Sequence, residues 1–70
     1  MQEIRAPITG SMWKVFVNVG DEVSDGDELM LIESMKLEIP VEAEDDGTVA
    51  RIHVAEGDPV SEGQLLIEVD

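Results

Sequence analysis

The sequence predicts an all-β chain built from two equivalent halves, packed as a small sandwich or flattened barrel. Three observations carry this expectation: an internal repeat, an apolar alternation of period two, and the absence of any helical periodicity. Sliding the 70-residue sequence 37 positions along itself matches Ala6 to Ala43, Gly10 to Gly47, Val17 to Val54 and Leu29 to Leu66. The run Val19-Gly20-Asp21-Glu22-Val23-Ser24-Asp25-Gly26 recurs as Glu56-Gly57-Asp58-Pro59-Val60-Ser61-Glu62-Gly63. No gap is needed between windows 6–33 and 43–70, and residues 34–42 join them. Such self-similarity marks two structurally equivalent units.

Within each half the apolar residues recur as they do in strands. Trp13, Val15 and Val17 alternate with Lys14 and Phe16, and their counterparts Ala50, Ile52 and Val54 alternate with Arg51 and His53. A period of two directs the first set toward a core and the second outward. Gly20-Asp21 and Gly57-Asp58 then supply turns, Val23 and Val60 fit only very short strands, and Gly26 and Gly63 turn the chain again. Each half closes on a strand, at 29–33 and at 65–69. Gly10 and Gly47, at equivalent bends, are expected to adopt an unusual φ. A half this small cannot bury a face alone, so the halves must pack against each other.

The junction departs from the rest. Strand-like residues 29–33 and 37–41 flank a reversal around Met35-Lys36. Tight two-residue hairpins favour Asn-Gly or Asp-Gly, because both central residues need positive φ. A local rule broken at one place points to function there. Lys36 would stand at a protruding tip beside Met35, whose flexible apolar side chain suits recognition by another protein. A lysine at a hairpin tip is ordinarily a solubilising charge. Lysine is scarce here, however, since Lys14 and Lys36 are the only two.

Composition bounds the remaining choices. Seventy residues make one domain, 1–70, that buries only about 60% of its unfolded surface. Without cysteine, disulfides and zinc–thiolate sites are excluded. With 17 acidic against 4 basic residues, the net charge of −13 would repel phosphate backbones and anionic lipid, so neither nucleic acid nor membrane is an expected partner. The longest apolar run, Leu29-Met30-Leu31-Ile32, is far short of the roughly 20 residues of a membrane span. Gln2-Glu3-Ile4-Arg5 offers no secretory leader, and a cytoplasmic location is expected. At 43% apolar residues, the chain is not compositionally disordered.

Glu33-Ser34-Met35-Lys36-Leu37-Glu38 closely resembles the Glu-Ala/Ser-Met-Lys-Met motif of biotin carboxyl carrier domains. The resemblance extends over almost the whole chain. Ala6-Pro7-Ile8-Thr9-Gly10 is similar to the family's Ala-Pro-x-x-Gly opening, and Gly20-Asp21-Glu22-Val23-Ser24-Asp25-Gly26 to its Gly-Asp-x-Val-x-x-Gly segment. The resemblance implies a biotinyl/lipoyl-type flattened β-barrel of two four-stranded antiparallel sheets, without a thumb insertion. It also implies that Lys36 is the covalent attachment point for biotin. Glu33, Ser34, Met35, Leu37 and Glu38 would then shape the hairpin read by a biotin protein ligase. Leu37 stands where many members carry a second methionine, which puts the strength of ligase recognition in doubt.

The implied function is that of a carrier rather than a catalyst. Biotin on Lys36 would move a carboxyl group between a biotin carboxylase site and a carboxyltransferase site, acetyl-CoA or another acyl-CoA being the expected acceptor class. An amine in water holds its proton at neutral pH and is a weak nucleophile, so the ligase must supply deprotonation.

Other readings compete with this one. Lipoate on the same fold is the nearest, although lipoyl lysines usually have a smaller, more acidic context than Met35 and Leu37 provide. An unmodified interaction module is a second, and Lys36 would then be dispensable. An enzyme is a third. Glu42, Glu44, Asp45 and Asp46 lack the spacing of a calcium loop and read as a solvated turn. The single histidine, His53, has outward parity and no nucleophile beside it in sequence, and Trp13 reads as core.

Overall fold

A computed structural model describes residues 2–70. Every regular element among them is a strand: β1 (Gln2–Arg5), β2 (Gly10–Val15), β3 (Glu22–Val23), β4 (Glu28–Ser34), β5 (Leu37–Glu42), β6 (Gly47–Ile52), β7 (Pro59–Val60) and β8 (Leu65–Val69). They form two four-stranded antiparallel sheets, ordered β1-β8-β6-β3 and β5-β4-β2-β7. The 37-residue offset carries β1 onto β5, β2 onto β6, β3 onto β7 and β4 onto β8, and so turns the first order into the second. The pseudo-twofold expected from the repeat is therefore present, and it begins earlier than residue 6. Ile4 and Val41 are its first buried pair.

The halves do not simply stack. Each sheet takes its two inner strands from one half and its two outer strands from the other. The short outer strands β3 and β7 cross between the halves, β3 pairing with β6 and β7 with β2, as do the longer outer strands β1 and β5. Hydrogen bonds across the exchange recur in both halves. Gly20 N donates to Val49 O at 2.8 Å, and Gly57 N to Met12 O at 2.7 Å. These bonds hold the end of β2 near the start of β6, so the starts of β2 and β6 lie at opposite poles of the barrel. One pole carries the β4–β5 turn. The other carries the start of β1 and the end of β8, where Gln2 pairs with Val69.

Bulges reset the alternation read from the sequence. Met12 pairs with Ile32 and Lys14 with Leu31, so Trp13 has no partner of its own. Ala50 is bypassed in the same way between Val49 and Arg51. An extra residue on one strand changes which face the following side chains take. Trp13, expected in the core, is 41% exposed, and Met12 is buried instead. Val15, Val17 and Ile52 pack on the core only in part, Ala50 is half-buried, and Val54 is buried.

The core between the sheets is built from Met12, Met30 and Ile32 on one side and Val49, Ile67 and Val69 on the other. Each such burial stabilises by about 1.5–3 kcal/mol, which is how so small a chain holds together.

Gly10 and Gly47 are not at positive φ, against expectation. Their constraint is contact. A Cβ on Gly10 would strike the carbonyl oxygen of Glu33, and one on Gly47 that of Asp70. The left-handed positions are the turn glycines Gly20, Gly26, Gly57 and Gly63.

The lysine hairpin as candidate functional site

Strands β4 and β5 pair from Glu28↔Glu42 to Ser34↔Leu37, which leaves Met35 and Lys36 as a two-residue turn. Their φ angles are 51° and 68°. Both are left-handed, as a type I′ hairpin turn requires. Side chains other than glycine adopt this conformation at a cost of roughly 1–2 kcal/mol per residue. They are also the only non-glycine residues at positive φ among those described. Strain confined to one turn is a feature of functional sites, and here it sits at the lysine.

The tip is open. Met35 is 92% exposed, Leu37 63%, and Lys36 is exposed between them. Among the described residues no carboxylate lies within 4.0 Å of Lys36 Nζ. The amine is therefore free to leave the protein surface.

The base of the hairpin, by contrast, is fixed. Ser34 Oγ donates to the carbonyl of Thr9 at 2.9 Å, and Thr9 Oγ1 in turn accepts from the amide of Glu62 at 3.0 Å. Glycine at position 10 lets β2 lie against the end of β4, where a Cβ would come within 3.0 Å of Ile32 Cγ2 and 3.1 Å of Ser34 Cβ. Glu33 and Glu38 face each other directly across the hairpin, both exposed.

All six residues singled out from the motif thus come together. Glu33 and Ser34 end β4, Met35 and Lys36 form the turn, and Leu37 and Glu38 begin β5. Thr9, as the anchor of Ser34, was not legible in the sequence. Gly10 is legible only as a repeated glycine; its constraint is the close approach of β4, not an unusual φ.

The remaining candidates lie elsewhere. His53 Nε2 is 2.8 Å from Glu68 Oε2, with Arg51 Nε 4.0 Å from the same oxygen, on the sheet that does not carry the hairpin. In the acidic run, the amides of Glu44 and Asp45 donate to Gln2 Oε1, and the Asp46 carboxylate accepts from the amide of Asp25. A groove lined by Ile4, Arg5, Pro7, Val41 and Glu44 does not include Lys36.

A flattened barrel of two interlaced four-stranded sheets, with a lysine at the tip of an exposed hairpin, defines a domain of the biotinyl/lipoyl class. Comparison with known proteins agrees. The family model described as "Biotin-requiring enzyme" matches residues 2–69. The biotin/lipoyl attachment protein of Bacillus subtilis is 44% identical over 62 residues, covering 89% of this chain and 85% of that protein. The biotin carboxyl carrier protein of Streptococcus mutans is 47% identical over 64 residues, 91% of this chain and 49% of the relative. Among solved structures, the urea carboxylase of Kluyveromyces lactis superposes with a TM-score of 0.93 at 36% identity, over 99% of this chain and 6% of that one. The chain belongs to the biotin/lipoyl attachment family.

Proposed function

We propose that this domain carries biotin on Lys36 and presents it to the active sites of a biotin-dependent carboxylase in the cytoplasm. The observation that carries the reading is the turn itself. A strained, wholly exposed Met35-Lys36 pair stands on a base pinned by Ser34 and Gly10. In loading by a biotin protein ligase, Lys36 Nζ gives up a proton and attacks the activated carboxyl carbon of biotin. A C–N amide bond forms and the activating group leaves. Lys36 is exposed, and no described residue covers it that would have to move to admit the ligase. Bound there, biotin supplies a ring nitrogen that takes up a carboxyl group at one site and yields it at another.

The chain's own contribution is mechanical. The barrel fixes where the lysine stem begins, and the stem gives reach. Tethering holds the effective concentration at each site high without a catalytic residue in the domain. An acyl-CoA is the proposed acceptor, and the carboxylase and carboxyltransferase sites are the proposed partners. Relatives named as carboxylases and as a biotin carboxyl carrier protein support this assignment.

The test is the intact mass after co-expression with a biotin protein ligase and biotin, beside a Lys36→Arg control. One added biotinyl group, absent from the control, is the expected result. No addition, with mass gained from a lipoyl ligase instead, would move the assignment to lipoate. No addition from either ligase would leave an unmodified interaction module.

A further inference from the structure

Sulfur is unevenly placed in this chain. There is no cysteine, so four methionines carry all of it: Met1, which lies outside the described residues, Met12, Met30 and Met35. Met12 and Met30 are 1% and 0% exposed, held between the sheets. Met35 is 92% exposed, against 41% to 63% for the other large apolar side chains at the surface, Trp13, Phe16, Val19 and Leu37.

The fold gives no reason for a thioether at the tip. Met35 belongs neither to the core nor to the side chains packed on it. Its φ of 51° is one that asparagine or glycine adopts at less cost. A residue kept against its local preference has its use outside the fold. Beneath it the base of the hairpin is pinned by Ser34 and Gly10, and the turn holds the side chain out in solvent. Met35 and Leu37 together flank Lys36 with apolar surface. Leu37 has no sulfur, so the chemical state of the tip turns on one atom, Met35 Sδ.

We propose, on the biotin reading of Lys36, that Met35 is a reversible oxidation site whose sulfoxide form closes the lysine to loading. The oxidant is a peroxide. A lone pair on Met35 Sδ attacks a peroxide oxygen, the O–O bond breaks and an S–O bond forms. Sulfur loses two electrons, and hydrogen peroxide leaves as water. Methionine sulfoxide reductases restore the thioether, the oxygen departing as water while a dithiol becomes a disulfide. The open turn admits both reagents, whereas Met12 and Met30 react only if the sheets part.

Solvation decides what the added oxygen does. A thioether seats against a ligase surface without losing a hydrogen bond. A sulfoxide oxygen is a strong acceptor that water satisfies in the free domain, and burying it without a donor is costly. The barrel makes no use of this side chain and keeps its fold.

The test oxidises the unloaded chain with hydrogen peroxide, stops the reaction with catalase and maps the product by peptide mass spectrometry. Met35 should gain one oxygen before Met12 or Met30 does. Loading by a purified bacterial biotin protein ligase should then fall in kcat/KM by about tenfold or more, as one polar atom buried without a partner predicts. Reductases for both sulfoxide epimers, with dithiothreitol, should return the untreated rate. Met35→Leu, compared with its own untreated sample, should not respond to peroxide, which also accounts for any reaction at Met1 or Trp13.

Three results would each overturn the switch while leaving Lys36 as the loading site. They are an unchanged rate in the protein oxidised at Met35, an equal fall in Met35→Leu, and a loss that the reductases do not reverse. Movement of the Met12 and Met30 methyl resonances on oxidation would trace the loss to the core and reject the proposal as well. An untreated wild type that is never biotinylated overturns both readings.

Discussion

Ser34 Oγ donates a hydrogen bond of 2.9 Å to the carbonyl of Thr9, tying the last residue of β4 to the segment that leads into β2. The bond joins positions 25 apart in sequence, next to a turn that has little else to hold it. Ser34→Ala should lower stability by about 0.5–1.5 kcal/mol, the range for one such bond. It should also speed hydrogen exchange at the Leu37 amide more than at Val49. Urea titration and exchange NMR read the two effects, and equal acceleration at both amides would deny the bond a local role.

The left-handed Met35 and Lys36 lead to a prediction with opposite signs for stability and function. Met35→Asn, which accepts positive φ more readily, should stabilise the domain by up to about 1 kcal/mol in urea titration. The same variant should be loaded with biotin more slowly, because it removes the exposed thioether at the tip. A variant that gained stability without losing loading rate would show Met35 to be dispensable for recognition.

Gly10 and Gly20 are constrained for different reasons and should fail differently. At Gly10 a Cβ meets the Glu33 backbone and Ile32, so Gly10→Ala should cost about 1–3 kcal/mol and shift the hairpin amides. At Gly20 a Cβ would meet nothing within 4 Å, and φ is 97°. Gly20→Ala should therefore cost about 1–2 kcal/mol through the backbone alone, with the hairpin spectrum unmoved. Comparing the two 15N–1H spectra separates the mechanisms.

Self-repulsion should be visible as salt dependence. With 17 acids against 4 basic residues, few of them compensated within the chain, screening removes more repulsion than attraction. The urea midpoint should rise as NaCl goes from about 0.02 M to about 0.5 M, across which the screening length shrinks several-fold. A midpoint that falls would mean that the few ion pairs outweigh the excess charge.

The sheet architecture was legible because the repeat fixed equivalence before any strand was assigned, and because the turn residues recur at 20, 26, 57 and 63. The hairpin was legible as an exception, Met-Lys where Asn-Gly belongs. What stayed hidden was tertiary in origin. The bulge at Trp13 depends on how β2 registers against β4, which a period-two pattern does not encode, and it moved the tryptophan from core to surface. The exchange of β3 and β7 between sheets was hidden for a similar reason, since two-residue strands carry too little pattern to name their partners. The close approach at Gly10 likewise belongs to the neighbouring strand rather than to the glycine's own φ.

The two poles of the barrel divide its mechanical duties. The pairing of Gln2 with Val69 puts the first and last strands' outer ends at the pole away from Met35 and Lys36. A polypeptide joined at either end would meet the barrel there, with its hinge at one extremity and the amine at the other. Any small rotation at that hinge would reach Lys36 as a translation, scaled by the length of the rigid body between them. The barrel is in that sense a boom: its stiffness turns loose angular play at the attachment into lateral search by the lysine.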